Sequence, residues 1–154
     1  MKDNIHIHFS NKSDEWATPQ NLFDNLNDEF NFDMDVAANT GNSKCINFLS
    51  IEKDALIYDW GKRNWCNPPY SLVKGFCRKA LEEQSKGNTT VMLIPARTDG
   101  TFFHEYCYNK PDVEIRFLRG RLKFITPDGS LLRKGASNSA PFASMIVIFR
   151  SKME

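Results

Sequence analysis

Apolar positions in the first part of the chain recur at helical spacing, with Leu22, Phe23, Leu26 and Phe30 following Thr18-Pro19, a cap residue and a first-turn proline. They predict a helix over about 19–29. Phe32 to Ala38 alternates as a strand would, ending near Asp35 or Val36, and the polar run Asn39-Thr40-Gly41-Asn42-Ser43 reads as a loop. After an irregular stretch, Arg63-Asn64-Trp65-Cys66 forms a short strand that stops at Asn67-Pro68-Pro69-Tyr70, where two prolines forbid regular pairing. Ser71 then caps a helix to about Lys86, with Leu72, Phe76, Ala80 and Leu81 on one face, Arg78 and Lys79 elsewhere on its surface, and Gly87 as its stop.

Thr89 to Pro95 is a continuous apolar run of the kind buried on both faces of a parallel sheet. A further helix is expected from about Thr101 to Tyr108, and strands over Val113 to Leu118 and Met145 to Phe149. Pro127-Asp128-Gly129-Ser130 is a turn between short strands at about 121–126 and 130–133, and residues 134–140 read as an exposed loop. Strands alternating with helices in this order point to a three-layer α/β sheet. No internal repeat interrupts it.

The 154 residues, 41% hydrophobic and 25% charged, suit a single globular domain spanning 1–154, with residues 1–13 as an N-terminal extension. No apolar run approaches the roughly 20 residues that cross a bilayer, and Met1 to Ser10 lacks the apolar core of a secretory signal. A cytoplasmic protein is expected. Cys45, Cys66, Cys77 and Cys107 have no CxxC spacing, and His6, His8 and His104 are scattered, so neither a metal site nor a disulfide framework is expected.

The net charge of +1 hides an asymmetry. Residues 1–60 carry 4 Lys/Arg against 11 Asp/Glu, whereas residues 61–154 carry 16 against 8. Such a split favours one cationic face that could meet a polyanion. Arg116, Arg119, Arg121, Lys123, Arg133 and Lys134 are opposed only by Asp128, a cluster that fits a solvated strand face or a nucleic-acid surface equally well.

The chemistry is concentrated in Asn67-Pro68-Pro69-Tyr70. In an open α/β sheet ligands collect at the carboxyl ends of strands, and this tetrapeptide follows one. The Asn67 side-chain oxygen and the Pro68 carbonyl can accept hydrogen bonds from an exocyclic amine, making a poor nucleophile reactive, while Pro69 stiffens the segment and Tyr70 stacks on the ring. The alternative is a tight Asn-Pro-Pro turn with a surface tyrosine.

Several blocks occur together in one order: Trp16-Ala17-Thr18-Pro19, Asp33-Met34-Asp35-Val36-Ala37-Ala38, Asp54-Ala55-Leu56, Trp65 to Tyr70, Met92 to Asp99, Arg116 to Phe124, and Asn138-Ser139-Ala140-Pro141-Phe142. In this the sequence resembles the short, phage-type DNA N6-adenine methyltransferases (Dam-like), over roughly Asp14 to Phe149. The resemblance implies a Rossmann-like, S-adenosylmethionine-dependent fold with a mixed, mostly parallel sheet, and methyl transfer to the N6 of a flipped-out adenine without covalent intermediate or metal. It implies DNA as partner, a monomer or weak homodimer, and the cytoplasm of the host cell if the gene is phage-borne.

By the same resemblance, Thr18 and Pro19 would hold the methionine end of the cofactor, with Trp16 as a neighbouring wall. Asp35 would lie near its methionine or ribose part, or serve only as a structural cap, and Asp54 (alternatively Asp59) would bind its adenine. The usual glycine-rich turn after the first strand is here reduced to Asn39-Thr40-Gly41-Asn42. Phe124 is either the opposite face of the base pocket or a core residue. Arg119, Arg121 and Lys123 would contact phosphates, and Arg97 would touch DNA or orient a carboxylate. With no separate target-recognition domain, base contacts would fall to residues 97–103 and the hairpin around Asp128 and Gly129.

Rival readings follow from the same residues. The tetrapeptide also suits cytosine N4, guanine N2 in RNA or a protein glutamine amide; basic residues favour nucleic acid. A catalytically silent DNA-binding module would not need an amine grip, and a small-molecule-binding α/β domain leaves the charge split unexplained.

Overall fold

The computed structural model describes residues 17–38, 41–50, 55–123 and 140–152. Among them a six-stranded sheet is flanked by helices. The chain runs α1 (Gln20–Phe30), β1 (Met34–Ala38), β2 (Phe48–Ser50), β3 (Arg63–Cys66), a 3-10 turn (Tyr70–Leu72), α2 (Val73–Ser85), β4 (Thr89–Pro95), a π-turn (Phe103–Cys107), β5 (Val113–Phe117) and β6 (Ser144–Phe149). The strand order is β2-β1-β3-β4-β6-β5. Neighbours are parallel from β2 through β4, and β6 lies antiparallel to both β4 and β5. This is a doubly wound, Rossmann-like α/β sheet with one reversed strand.

Side-chain alternation divides the central strands between two cores. Val91 and Leu93 of β4, with Ile146 and Ile148 of β6 and Trp65 of β3, pack against Phe23, Leu26 and Phe30 of α1. Met92 and Ile94, with Met145, Val147, Phe149 and Cys66, face Val73, Phe76, Cys77 and Ala80 of α2 together with Phe103 and Cys107 of the π-turn. Every residue of β4 is therefore buried. The register that pairs Val91 with Ile148 and Met92 with Val147 keeps each face continuous across the reversed strand.

Several boundaries differ from expectation. Helix α1 begins at Gln20 with Pro19 at its N-cap, whose side chain has no acceptor to offer, while the Thr18 hydroxyl before it meets Asn67; Asn31, at φ 55°, closes the helix left-handed. Strand β1 continues to Ala38, so Asp35 is its second residue rather than its last. Ser71 caps nothing; it sits inside the 3-10 turn that leads into α2. The buried face of α2 is carried by Val73, Phe76, Cys77 and Ala80, while Leu72 is exposed.

Lys79 is also buried, not on the helix surface. Its ammonium lies 3.1 Å from Glu83 Oε1, and the fully buried Glu83 carboxylate accepts further bonds from Asn88 Nδ2 (2.7 Å) and the Trp60 N–H (3.4 Å). The helix predicted near residue 101 widens into a π-turn, with the Tyr108 N–H bonded to the Phe103 carbonyl five residues back at 2.7 Å. Strand β2, three residues long, is too short to show a period in the sequence. The N-terminal extension, the hairpin strands beyond Lys123 and residues 134–139 lie outside the described residues.

Candidate active site

The chain leaves β1 towards β2 on one side and returns to β3 on the other, so the strand order reverses between β1 and β3. The crevice outside their carboxyl ends is where an open α/β sheet binds ligands. Asn67-Pro68-Pro69-Tyr70 leaves β3 there. Pro68 and Pro69 are buried, and the Leu72 N–H bonds to the Pro69 carbonyl at 2.9 Å, so the segment turns at once into α2.

Asn67 Nδ2 donates to Thr18 Oγ1 at 3.0 Å, across a separation of 49 residues. This bond brings the segment preceding α1 to the tetrapeptide. Tyr70 meets Phe142 edge-on, with ring centroids 5.0 Å apart and planes at 81°. Its hydroxyl is buried and has no hydrogen-bond partner among the described residues, and burial raises its pKa above the ordinary phenol value, so it is a neutral donor.

Beside Tyr70 opens a cleft of about 360 Å³, lined also by Ser71, Lys74, Pro95, Arg97 and Phe102. Lys74 pairs with Glu105 of the π-turn at 3.4 Å, joining α2 to that wall. Arg97, exposed, follows directly from the carboxyl end of β4.

Asp35 is 3% exposed, and its oxygens accept the Ala37 N–H (3.2 Å) and the Lys44 N–H (2.9 Å). Burial pushes its pKa up to about 6, against the lowering effect of those two N–H groups and of the Lys44 charge. Its present partners are thus the protein's own backbone. Asp59 forms an exposed pair with Lys86, at the C-terminus of α2 and the end of the sheet remote from Asn67. Trp16, Asp54 and Phe124 lie outside the described residues.

Strand β5 runs parallel to β4, so the chain after Phe117 emerges on the same side as Asn67. Arg119, Arg121 and Lys123 are exposed there. The Ala140 N–H bonds to the Leu122 carbonyl at 2.8 Å and Arg121 Nη1 to the Ala140 carbonyl at 3.3 Å, which lays this basic run beside the segment that carries Phe142. Arg116 does not join it. Its guanidinium makes a two-bond pair with Glu29 at 2.8 Å and also bonds to Glu114.

Phe142, Phe102 and Lys74 were missed as site residues. Phe142 stands in the Asn138 to Phe142 block, which matches no strand or helix period; that was its available signal. Phe102 and Lys74 read as ordinary helix residues.

The family model for "DNA N-6-adenine-methyltransferase (Dam)" matches residues 7–154. A DNA N-6-adenine-methyltransferase of Haemophilus phage HP1 is 31% identical over 146 residues, covering 92% of this chain and 82% of its own. Another protein of that description, from Escherichia phage T1, is 35% identical over 103 residues; the match covers 65% of this chain and only 43% of the phage T1 protein. With Asn67 to Tyr70 at the reversal of the sheet and the family model matching nearly its whole length, the chain belongs to the DNA N-6-adenine-methyltransferase (Dam) family.

Proposed function

We propose that this chain methylates the exocyclic N6 amine of adenine in DNA, taking the methyl group from S-adenosylmethionine. The observation that carries this reading is the rigid Asn67 to Tyr70 segment at the β1/β3 crevice, with its amide tied to Thr18 and a cleft beside its tyrosine.

The residues around the crevice fit the cofactor. Helix α1 starts there without a side-chain cap, so its first N–H groups suit a carboxylate such as the methionine end. Pro19 leads into that helix, Asp35 braces the turn through Lys44, and Trp16 and Asp54 complete the proposed set, while the Thr18 hydroxyl is turned to Asn67. When bound, the cofactor supplies an electrophilic sulfonium methyl.

The protein's own part is to present the amine. Asn67 Oδ1 and the Pro68 carbonyl accept hydrogen bonds from N6, which leaves its lone pair directed at the methyl donor. The base must first leave the duplex, at a cost of about a few kcal/mol. Stacking on Tyr70, itself braced by Phe142, offsets part of it, with Phe124 proposed for the far face. Arg119, Arg121, Lys123 and Arg97, on the carboxyl side of the sheet, hold phosphates and set the register of the duplex.

The test uses tritiated cofactor with DNA, RNA and protein acceptors, followed by digestion of the labelled acceptor to nucleosides. Label in N6-methyladenine from DNA is expected. Label in N4-methylcytosine, in RNA or in protein would redirect the reading to another planar amine.

A further inference from the structure

Asn67 must show its oxygen, not its NH2, to an amine substrate, since two donors facing each other make no hydrogen bond. A terminal amide turns easily about its last torsion, so something has to hold it. Among the described residues its NH2 group donates to Thr18 Oγ1 at 3.0 Å. Thr18 is 2% exposed, so water does not compete readily for this bond.

Its position makes the arrangement informative. A threonine at a helix N-cap spends its hydroxyl on the first free N–H groups, but Pro19 takes that place and Thr18 stands one residue before it. Here no side chain caps α1, and the hydroxyl instead faces the amide. We infer that Thr18 is a positioning residue for Asn67, anchoring the amide NH2 so that Oδ1 is presented to the substrate amine, rather than a contact valued for cofactor affinity. This rests on the reading of Asn67 given above.

The two roles separate in kinetics. Thr18→Val keeps the side-chain shape and removes the acceptor; Thr18→Ser keeps the acceptor. With DNA and cofactor both saturating, Thr18→Val is expected to slow single-turnover methyl transfer about tenfold or more, the scale of one lost orienting hydrogen bond. Its cofactor Kd by calorimetry should stay within about twofold of wild type, and Thr18→Ser should recover most of the rate. Thr18→Ala is measured alongside, and thermal melting checks that each variant is folded.

A Thr18→Val or Thr18→Ala enzyme that reaches the wild-type rate once cofactor is raised would overturn the inference and leave Thr18 as a cofactor contact. So would a folded Thr18→Ser enzyme as slow as Thr18→Val. Asn67→Ala is the control: if it too transfers methyl at the wild-type rate, the failure belongs to the role given to Asn67 and not to Thr18 alone.

Discussion

The most quantitative consequence concerns salt. Four cations stand between Arg116 and Lys123, but Arg116 already holds Glu29 through two bonds and touches Glu114, so it has little left to offer a phosphate. Arg119, Arg121 and Lys123 are exposed, and among the described residues Arg121 bonds to a backbone carbonyl, which leaves its charge unneutralised. Three phosphate contacts release counterions that contribute about 0.9 each to the slope of log affinity against log salt, about 2.7 together. Changing all three to glutamine should flatten the slope by that amount. The advantage of wild type over the variant should then shrink about 40-fold between roughly 50 and 200 mM salt. Fluorescence anisotropy of a labelled duplex across that range measures both slopes. An unchanged slope, or an equal loss from Arg116→Gln alone, would refute the reasoning and move the DNA surface elsewhere.

Other expectations follow from the site and the core. Asn67→Ala should lower the rate of methyl transfer about 100-fold while cofactor still binds, read by single-turnover assay and calorimetry. Glu83→Ala would leave the Lys79 ammonium buried without its carboxylate and should cost about 3–5 kcal/mol in urea unfolding; a loss under about 1 kcal/mol would show that the pair carries no weight. Asp35, with its pKa raised to about 6, binds a proton more tightly folded than unfolded. Its contribution to stability therefore falls as pH rises from the unfolded value through about 6, and is level above. Urea titrations should show wild type losing stability relative to Asp35→Asn across that window, and a difference independent of pH would contradict the shift.

Strands whose information is local were legible from sequence. Arg63 to Cys66 is ended by its own prolines, and the apolar stretch Val91 to Pro95 lies in a strand buried throughout because both faces are covered. The tetrapeptide proposed as catalytic stands out for the same reason: its candidate chemistry and its break in pairing occupy consecutive residues. What could not be read were choices made between distant segments. Thr18 and Ser71 have the chemistry of helix caps, but the first bonds to Asn67 and the second lies in a 3-10 turn. Lys79 and Glu83 look like a solvent-facing pair at helical spacing, until Trp60 and Asn88 close over the carboxylate. Arg116 belongs by sequence to the basic run and by contact to Glu29, 87 residues away. Phe142 owes its place at Tyr70 to the path of the segment before β6, which carries no periodic signal.

The reversed strand β6 has a consequence for how the molecule is assembled. During synthesis β4 follows β3 closely, but its other neighbour is encoded some fifty residues later, and among the described residues β5 pairs with that same latecomer alone. Until β6 emerges, β4 offers an open apolar edge and β5 has no sheet to join, so the nascent chain passes through a stage prone to sticking to its neighbours. The flank carrying Arg119, Arg121 and Lys123 is consequently the last to be docked, after the crevice between β1 and β3 has formed.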